Sequence, residues 1–274
     1  MRLAGGRDRG GLRTASWIAV GGLLLATAGY VVWDRDFRRA SPSNPAMTCP
    51  IVVRAGHRLP LTALRVHRVA LIGDSIMAQA SCAIADSLAD VGITTSRHAV
   101  PATGLLNGTV DWFAATRQIL HTEHPNIVVA IFVGNYPLPP IRDATGTPIL
   151  DDSPAFFRAW QRRAEVLSAE VRAAGAQMYW VSPPPIALSP LRHAQRLFDG
   201  YRTIPHDHVL SSGGVLAGMN GQPVMAKITC GRTRLVRSTF DFVHLSNDGA
   251  RIYGEQIAHD LTARLGLLVA PRPC

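Results

Sequence analysis

An apolar run ending in a serine, Val69-Ala70-Leu71-Ile72-Gly73-Asp74-Ser75, opens the globular part of this chain, and Phe240-Asp241-Phe242-Val243-His244-Leu245-Ser246 lies near its end. Together they supply a hydroxyl, an imidazole and a carboxylate. Those three groups in concert perform acyl transfer: a base takes the serine proton, the oxygen attacks a carbonyl, and the carboxylate holds the base in the right tautomer. An imidazole, with an ordinary pKa near 6.5, suits the base at neutral pH. Neither segment is decisive alone, because Gly-Asp-Ser is common in turns and Asp-x-x-His often caps a helix. Their combination makes an enzyme the first reading, with Ser75 as nucleophile, His244 as base and Asp241, three residues before it, as orienting carboxylate.

The order of short blocks resembles the SGNH hydrolases, the GDSL esterases and lipases. Gly73-Asp74-Ser75-Ile76 matches the first block, with isoleucine in the usual leucine position. Gly104, in Ala102-Thr103-Gly104-Leu105-Leu106, is the best match to the glycine of the second, with Gly108 as the fallback. Val133-Gly134-Asn135-Tyr136 follows an apolar strand as the third block does, but Tyr136 stands where that block usually carries aspartate. Asp241 to His244 is the fifth block, and the resemblance runs over about residues 66–265. It implies an α/β fold, a three-layer sandwich around a parallel sheet of flavodoxin-like type. It also implies an oxyanion hole formed by the Ser75 N–H, the Gly104 N–H and the Asn135 side-chain amide. Such a site uses no metal and no cofactor.

The elements that must position these groups are legible in the hydrophobic pattern. Val66–Ile72, Ile93–Val100, Ile127–Phe132 and Gln177–Val181 read as strands, and Ile76–Val91, Val110–Glu123, Ala155–Ala174 and Gly249–Leu265 as helices. Alternation of the two predicts a parallel sheet covered on both faces. A serine just past the first strand then lies at the carboxyl edge of the sheet, where such folds keep their chemistry. Between Ile186 and Phe240 only a helix over Leu191–Tyr201, a Gly-rich run at Ser211-Ser212-Gly213-Gly214 and a turn at Asn220-Gly221 are expected. His206-Asp207-His208, after Pro205, looks like a metal cluster but lacks a third ligand at suitable spacing and reads as a solvated loop. Asp74 reads as a turn-stabilising carboxylate, and Tyr136 either lines the pocket or substitutes structurally for the absent aspartate.

The amino-terminal quarter is organised differently. Residues 15–33 contain no charge, and at about 1.5 Å per residue a helix of that length spans roughly 28 Å, near the thickness of a bilayer core. The expected organisation is a cytoplasmic tail at 1–14, a single transmembrane anchor at 15–33, a Pro-, Ser- and Arg-rich stalk at 34–64 and a hydrolase domain at 65–274. A cleaved signal peptide ending at Ala28 is the alternative. Arg2, Arg7, Arg9 and Arg13 before the span place the amino terminus inside and the domain outside the cell membrane. Cys49, Cys82, Cys230 and Cys274, an even number without a CxxC pair, suit two disulfides in an oxidising compartment.

The net charge of +9 comes from scattered arginines with a single lysine, Lys227, and without aromatic interleaving, so nucleic acid is not the expected partner. An anionic envelope or membrane surface is. The expectation is an exported, membrane-anchored serine esterase acting through an acyl-enzyme on short acyl or O-acetyl groups of envelope glycans, or on lipid esters. An O-acyltransferase would use the same triad, and a non-catalytic envelope binding or assembly protein stays open because of Tyr136.

Overall fold

The computed structural model describes residues 66–136, 139–187 and 191–267. The expected tail, anchor and stalk, together with Cys49 and Cys274, lie outside the described residues. Five strands form one parallel sheet: β1 (Arg68–Gly73), β2 (Thr94–Arg97), β3 (Ile127–Ile131), β4 (Gln177–Val181) and β5 (His208–Leu210), in the order β2-β1-β3-β4-β5. The order reverses between β1 and β3. A crevice opens at such a switch point, beyond the carboxyl ends of the two strands, and ligands of open α/β sheets bind there.

Five helices cover the sheet: α1 (Ser75–Ala89), α2 (Trp112–Glu123), α3 (Pro154–Ala173), α4 (Ala194–Tyr201) and α5 (Asn247–Arg264). Strand side chains alternate between two cores. Val69, Leu71, Val129 and Ile131 face α1 and α5, while Ala70, Ile72, Val128 and Ala130 face α2, α3 and α4. This is the expected three-layer sandwich. Where the sequence predicts a strand from Ile93 to Val100, β2 proper is shorter, yet the His98 and Val100 N–H groups still bond to the Leu71 and Gly73 carbonyls. The helix starts are capped as their sequences direct: Asp74, Asp111, Ser153 and Ser246 each accept a backbone N–H from the first turn. Helices α1 and α5 touch closely because a Cβ at Gly254 would fall 2.6 Å from the Ala80 carbonyl oxygen. No side chain larger than hydrogen fits between them.

The stretch from Ile186 to Phe240 departs most from expectation. The predicted helix over Leu191–Tyr201 divides into a 3₁₀ turn, Leu191–His193, and α4. His206 and His208 are exposed, as a solvated loop would have them, but His208 begins the fifth strand, and the buried Asp207 carboxylate between them accepts from Trp180 Nε1 at 2.8 Å and pairs with Arg172. Residues 226–235 form an antiparallel hairpin, β6 (Ala226–Thr229) and β7 (Arg232–Leu235). Neither Cys82 nor Cys230 is a free thiol. Among the described residues no helix is long and apolar enough to cross a membrane.

Candidate active site

The chain passes from β1 into α1 through Gly73 and Asp74, so that Ser75 becomes the first residue of the helix and lies at the sheet's carboxyl edge. Asp74 makes that junction rigid. Its Oδ1 accepts the Ile76 N–H at 3.0 Å, and its Oδ2 accepts the Val133 N–H at 2.6 Å and the Asn135 amide at 3.3 Å. One carboxylate thus ties the Ser75 turn to the loop after β3. Complete burial raises its pKa to about 7, against the opposing pull of the backbone N–H donors and the His244 charge.

His244 reaches Ser75 from the other end of the described chain. Its Nε2 lies 3.0 Å from Ser75 Oγ, and its Nδ1 bonds to Asp241 Oδ2. Asp241 Oδ1 accepts the Val243 and His244 N–H groups, each at 3.0 Å. Burial would raise the Asp241 pKa, but the His244 hydrogen bonds, its charge and the Val243 N–H outweigh that and hold it at about 2. The fixed carboxylate accepts a hydrogen bond from Nδ1–H, leaving Nε2 free to accept from the serine.

The loop carrying His244 is braced from three sides by groups that sequence reasoning did not single out. Gln79, one turn along α1 from Ser75, donates from Nε2 to the Leu245 carbonyl at 3.1 Å and accepts the Leu245 N–H at 2.9 Å. Arg237, 2% exposed, donates to the Val243 carbonyl at 2.6 Å and the Pro185 carbonyl at 2.5 Å, and burial lowers its pKa to about 10. The Ser238 N–H bonds to the His244 carbonyl at 2.8 Å, and Phe242 takes a left-handed conformation, φ 59°, between the two triad residues. The i to i+4 spacing from Ser75 was the one available clue to Gln79; Arg237 carries no local signal.

Gly104 and Asn135 are brought together. A Cβ at Gly104 would lie 2.5 Å from the Asn135 carbonyl oxygen and 3.1 Å from the Trp160 ring, whereas Gly108 faces open space. Gly104 is therefore the glycine the fold requires. The Asn135 amide also donates to the Thr103 carbonyl at 3.0 Å, so its N–H groups point to Thr103 and Asp74 and bind the two loops to each other. Tyr136 turns away: its hydroxyl donates to the Ile149 carbonyl at 2.6 Å and its ring meets Phe156 edge-on. The hydrogen bonds of the absent aspartate are not replaced by Tyr136, which anchors the following loop instead. Behind Gly134 the buried His193 places Nε2 3.2 Å from the Gly134 carbonyl, a contact with no sequence signature.

The family described as Protein of unknown function (DUF459) matches residues 68–260, from the first residue of β1 to Asp260 in α5. The chain belongs to this family. The DUF459 domain shares its fold with SGNH hydrolases. One is a G-D-S-L family protein from Desulfitobacterium hafniense DCB-2, at 14% identity and TM-score 0.50, covering 70% of this chain and 98% of that one. A second is the psychrotrophic esterase EstA from Pseudoalteromonas sp., at 12% identity and TM-score 0.50, covering 73% and 99%. At such identities the likeness is one of fold. No curated protein matches the chain.

Proposed function

We propose that this DUF459 protein is a serine esterase that hydrolyses carboxylic esters through an acyl-enzyme. The observation that carries the reading is the unbroken chain from Asp241 through His244 to Ser75 Oγ at the switch point of the sheet. In the proposed cycle Ser75 Oγ bonds to the ester carbonyl carbon as its proton passes to His244 Nε2. The negative charge collects on the carbonyl oxygen and is met by the N–H at the start of α1, the Gly104 N–H and, once it gives up its long 3.3 Å bond to Asp74, the Asn135 amide. The intermediate collapses, the C–O bond to the alcohol breaks, and the imidazolium returns the proton to the departing oxygen. Water then repeats the sequence on the acyl-serine. Asp241 stays ionised throughout and stabilises the imidazolium.

The same proposal places the domain outside the cell membrane, held by residues 15–33, with Cys49, Cys82, Cys230 and Cys274 as two disulfides. The uncharged span, the arginines before it and the even cysteine number support this. The test is labelling by a fluorophosphonate, followed by turnover of p-nitrophenyl esters of increasing chain length with and without a sugar acceptor. Labelling that persists in Ser75→Ala removes the nucleophile. Product formed only with the acceptor present makes the protein a transferase. An export reporter fused after Trp33 that is active only in the cytoplasm overturns the placement.

A further inference from the structure

The loop after β3 departs from the usual third block at Tyr136, yet each of its residues is tied to another element. Asp74 accepts the Val133 N–H, Thr103 and Asp74 accept from the Asn135 amide, and the Ile149 carbonyl accepts from the Tyr136 hydroxyl. The tie at Gly134 comes from the stretch between Ile186 and Phe240. There His193, at the end of the 3₁₀ turn before α4, places Nε2 3.2 Å from the Gly134 carbonyl oxygen.

His193 is built into this place. It is 4% exposed, and although it stands at the N-cap position of α4 its side chain makes no capping bond and turns to the loop instead. A carbonyl oxygen only accepts, so the contact requires the proton on Nε2. Nδ1 then has no hydrogen-bond partner among the described residues, because Asp151 Oδ1, at 3.7 Å, is beyond reach of one. A buried ring nitrogen left unbonded is unfavourable, which makes the Gly134 bond the contact that sets the ring's orientation. Phe156 and Phe157 close on the imidazole with ring centroids at 4.9 Å and 6.1 Å. Gly134 is shaped to receive it: its φ of 96° favours glycine, and a Cβ there would fall 2.2 Å from His193 Nε2.

We infer, on the esterase reading, that His193 is a positioning residue of the active site, holding the Gly134 carbonyl so that the Asn135 amide is aimed at the developing oxyanion. The Gly134 carbonyl and the Asn135 nitrogen belong to one planar peptide, so a hydrogen bond to that oxygen restrains the plane from which Asn135 projects. His193 acts through Asn135 and needs no contact with substrate. Donors fixed in advance are worth most when charge forms on the carbonyl oxygen, so a slackened loop loses transition-state stabilisation and leaves substrate binding nearly intact.

The experiment compares His193→Met, which keeps an apolar side chain of similar length without the donor, with His193→Gln, whose amide nitrogen has nearly the reach of Nε2. In p-nitrophenyl acetate turnover His193→Met should lower kcat by about 10-fold with KM nearly constant. His193→Gln should recover most of that loss. Added to Asn135→Ala, His193→Met should cost nothing further, because the two changes remove one interaction. A kcat equal to wild type, no recovery by Gln, or additive losses with Asn135→Ala overturns the inference while the esterase stands. Long-range proton–nitrogen NMR of the wild-type protein provides a readout that needs no variant to fold. A proton on His193 Nε2 is expected, and a ring protonated on Nδ1 alone overturns the inference. If the wild type turns over no ester, the esterase reading falls, and the tie to Asn135 is judged by the Asn135 side-chain amide signal. That signal should shift in His193→Met and return in His193→Gln; an unmoved signal overturns the tie as well.

Discussion

Gln79 and Leu245 are joined as two strands of a sheet would be, the side-chain amide of one satisfying both backbone groups of the other. The pair fixes the residue beside His244 to the helix that begins at Ser75. Gln79 touches no reacting atom and is a positioning residue. Misplacement by about 1 Å can cost roughly 10²-fold in rate. Gln79→Ala is therefore expected to lower kcat by about 10- to 10²-fold with KM little changed. Two lost hydrogen bonds at about 1 kcal/mol each should lower Tm by only a few degrees in a domain of this size. A fall in Tm with unaltered kcat would reduce Gln79 to a structural tie.

Ser75→Ala and His244→Ala should each lower ester turnover by on the order of 10⁴-fold, and the double variant should be little worse than either, because the two act as a unit. Additive losses in the double-variant cycle would contradict the 3.0 Å contact as a catalytic one.

At the oxyanion loops the structure modifies what sequence alone suggests. Asn135 holds Thr103 and Asp74, so Asn135→Ala is expected to lower kcat by about 10²-fold and to cost about 1–2 kcal/mol of stability as well. Gly104→Ala presses a methyl group onto the Asn135 carbonyl and should lower kcat with KM nearly constant. The corresponding change at Gly108, which faces open space, serves as the control. Equal kinetic damage at the two glycines would remove Gly104 from the site.

Two carboxylates give stability opposite dependences on pH. Asp74 has its folded pKa raised to about 7, so the native state binds the extra proton, and its contribution is full below about 4 and lost as pH rises toward 7. Asp241 has its folded pKa lowered to about 2, so its contribution is present above about 4 and lost as pH falls toward 2. Urea unfolding at successive pH values should show the decline between pH 4 and 7 flattened in Asp74→Asn, and the loss between 4 and 2 reduced in Asp241→Asn. A wild-type-like slope in either variant would refute the assignment for that residue.

Strands β1, β3 and β4 and the four long helices could be read from hydrophobic periodicity because each buries an apolar face; β3, for example, is buried at all five positions, whereas β2 has no buried residue. The fifth strand could not: it has three residues, begins with His208, and is held by Asp207, whose burial depends on Trp180 and Arg172 from distant elements. At the site, residues named by their own chemistry were legible, Ser75, Asp241 and His244 among them. Those that act on backbone were not. Gln79 and Arg237 serve carbonyl and N–H groups, which every residue has, so no pattern of side-chain types marks their partners. Tyr136 shows the converse, since the altered block was visible but the Ile149 carbonyl it seeks was not.

The close contact of α1 with α5 at Gly254 bears on how the protein is made. Ser75 belongs to the first helix among the described residues and His244 to the loop leading into the last of them, 169 residues later. A chain emerging from the ribosome or a translocation pore therefore carries its serine long before the imidazole that could activate it, and the two meet only once α5 seats against α1. On the proposed mechanism, a copy that still lacks His244 holds Ser75 without its base.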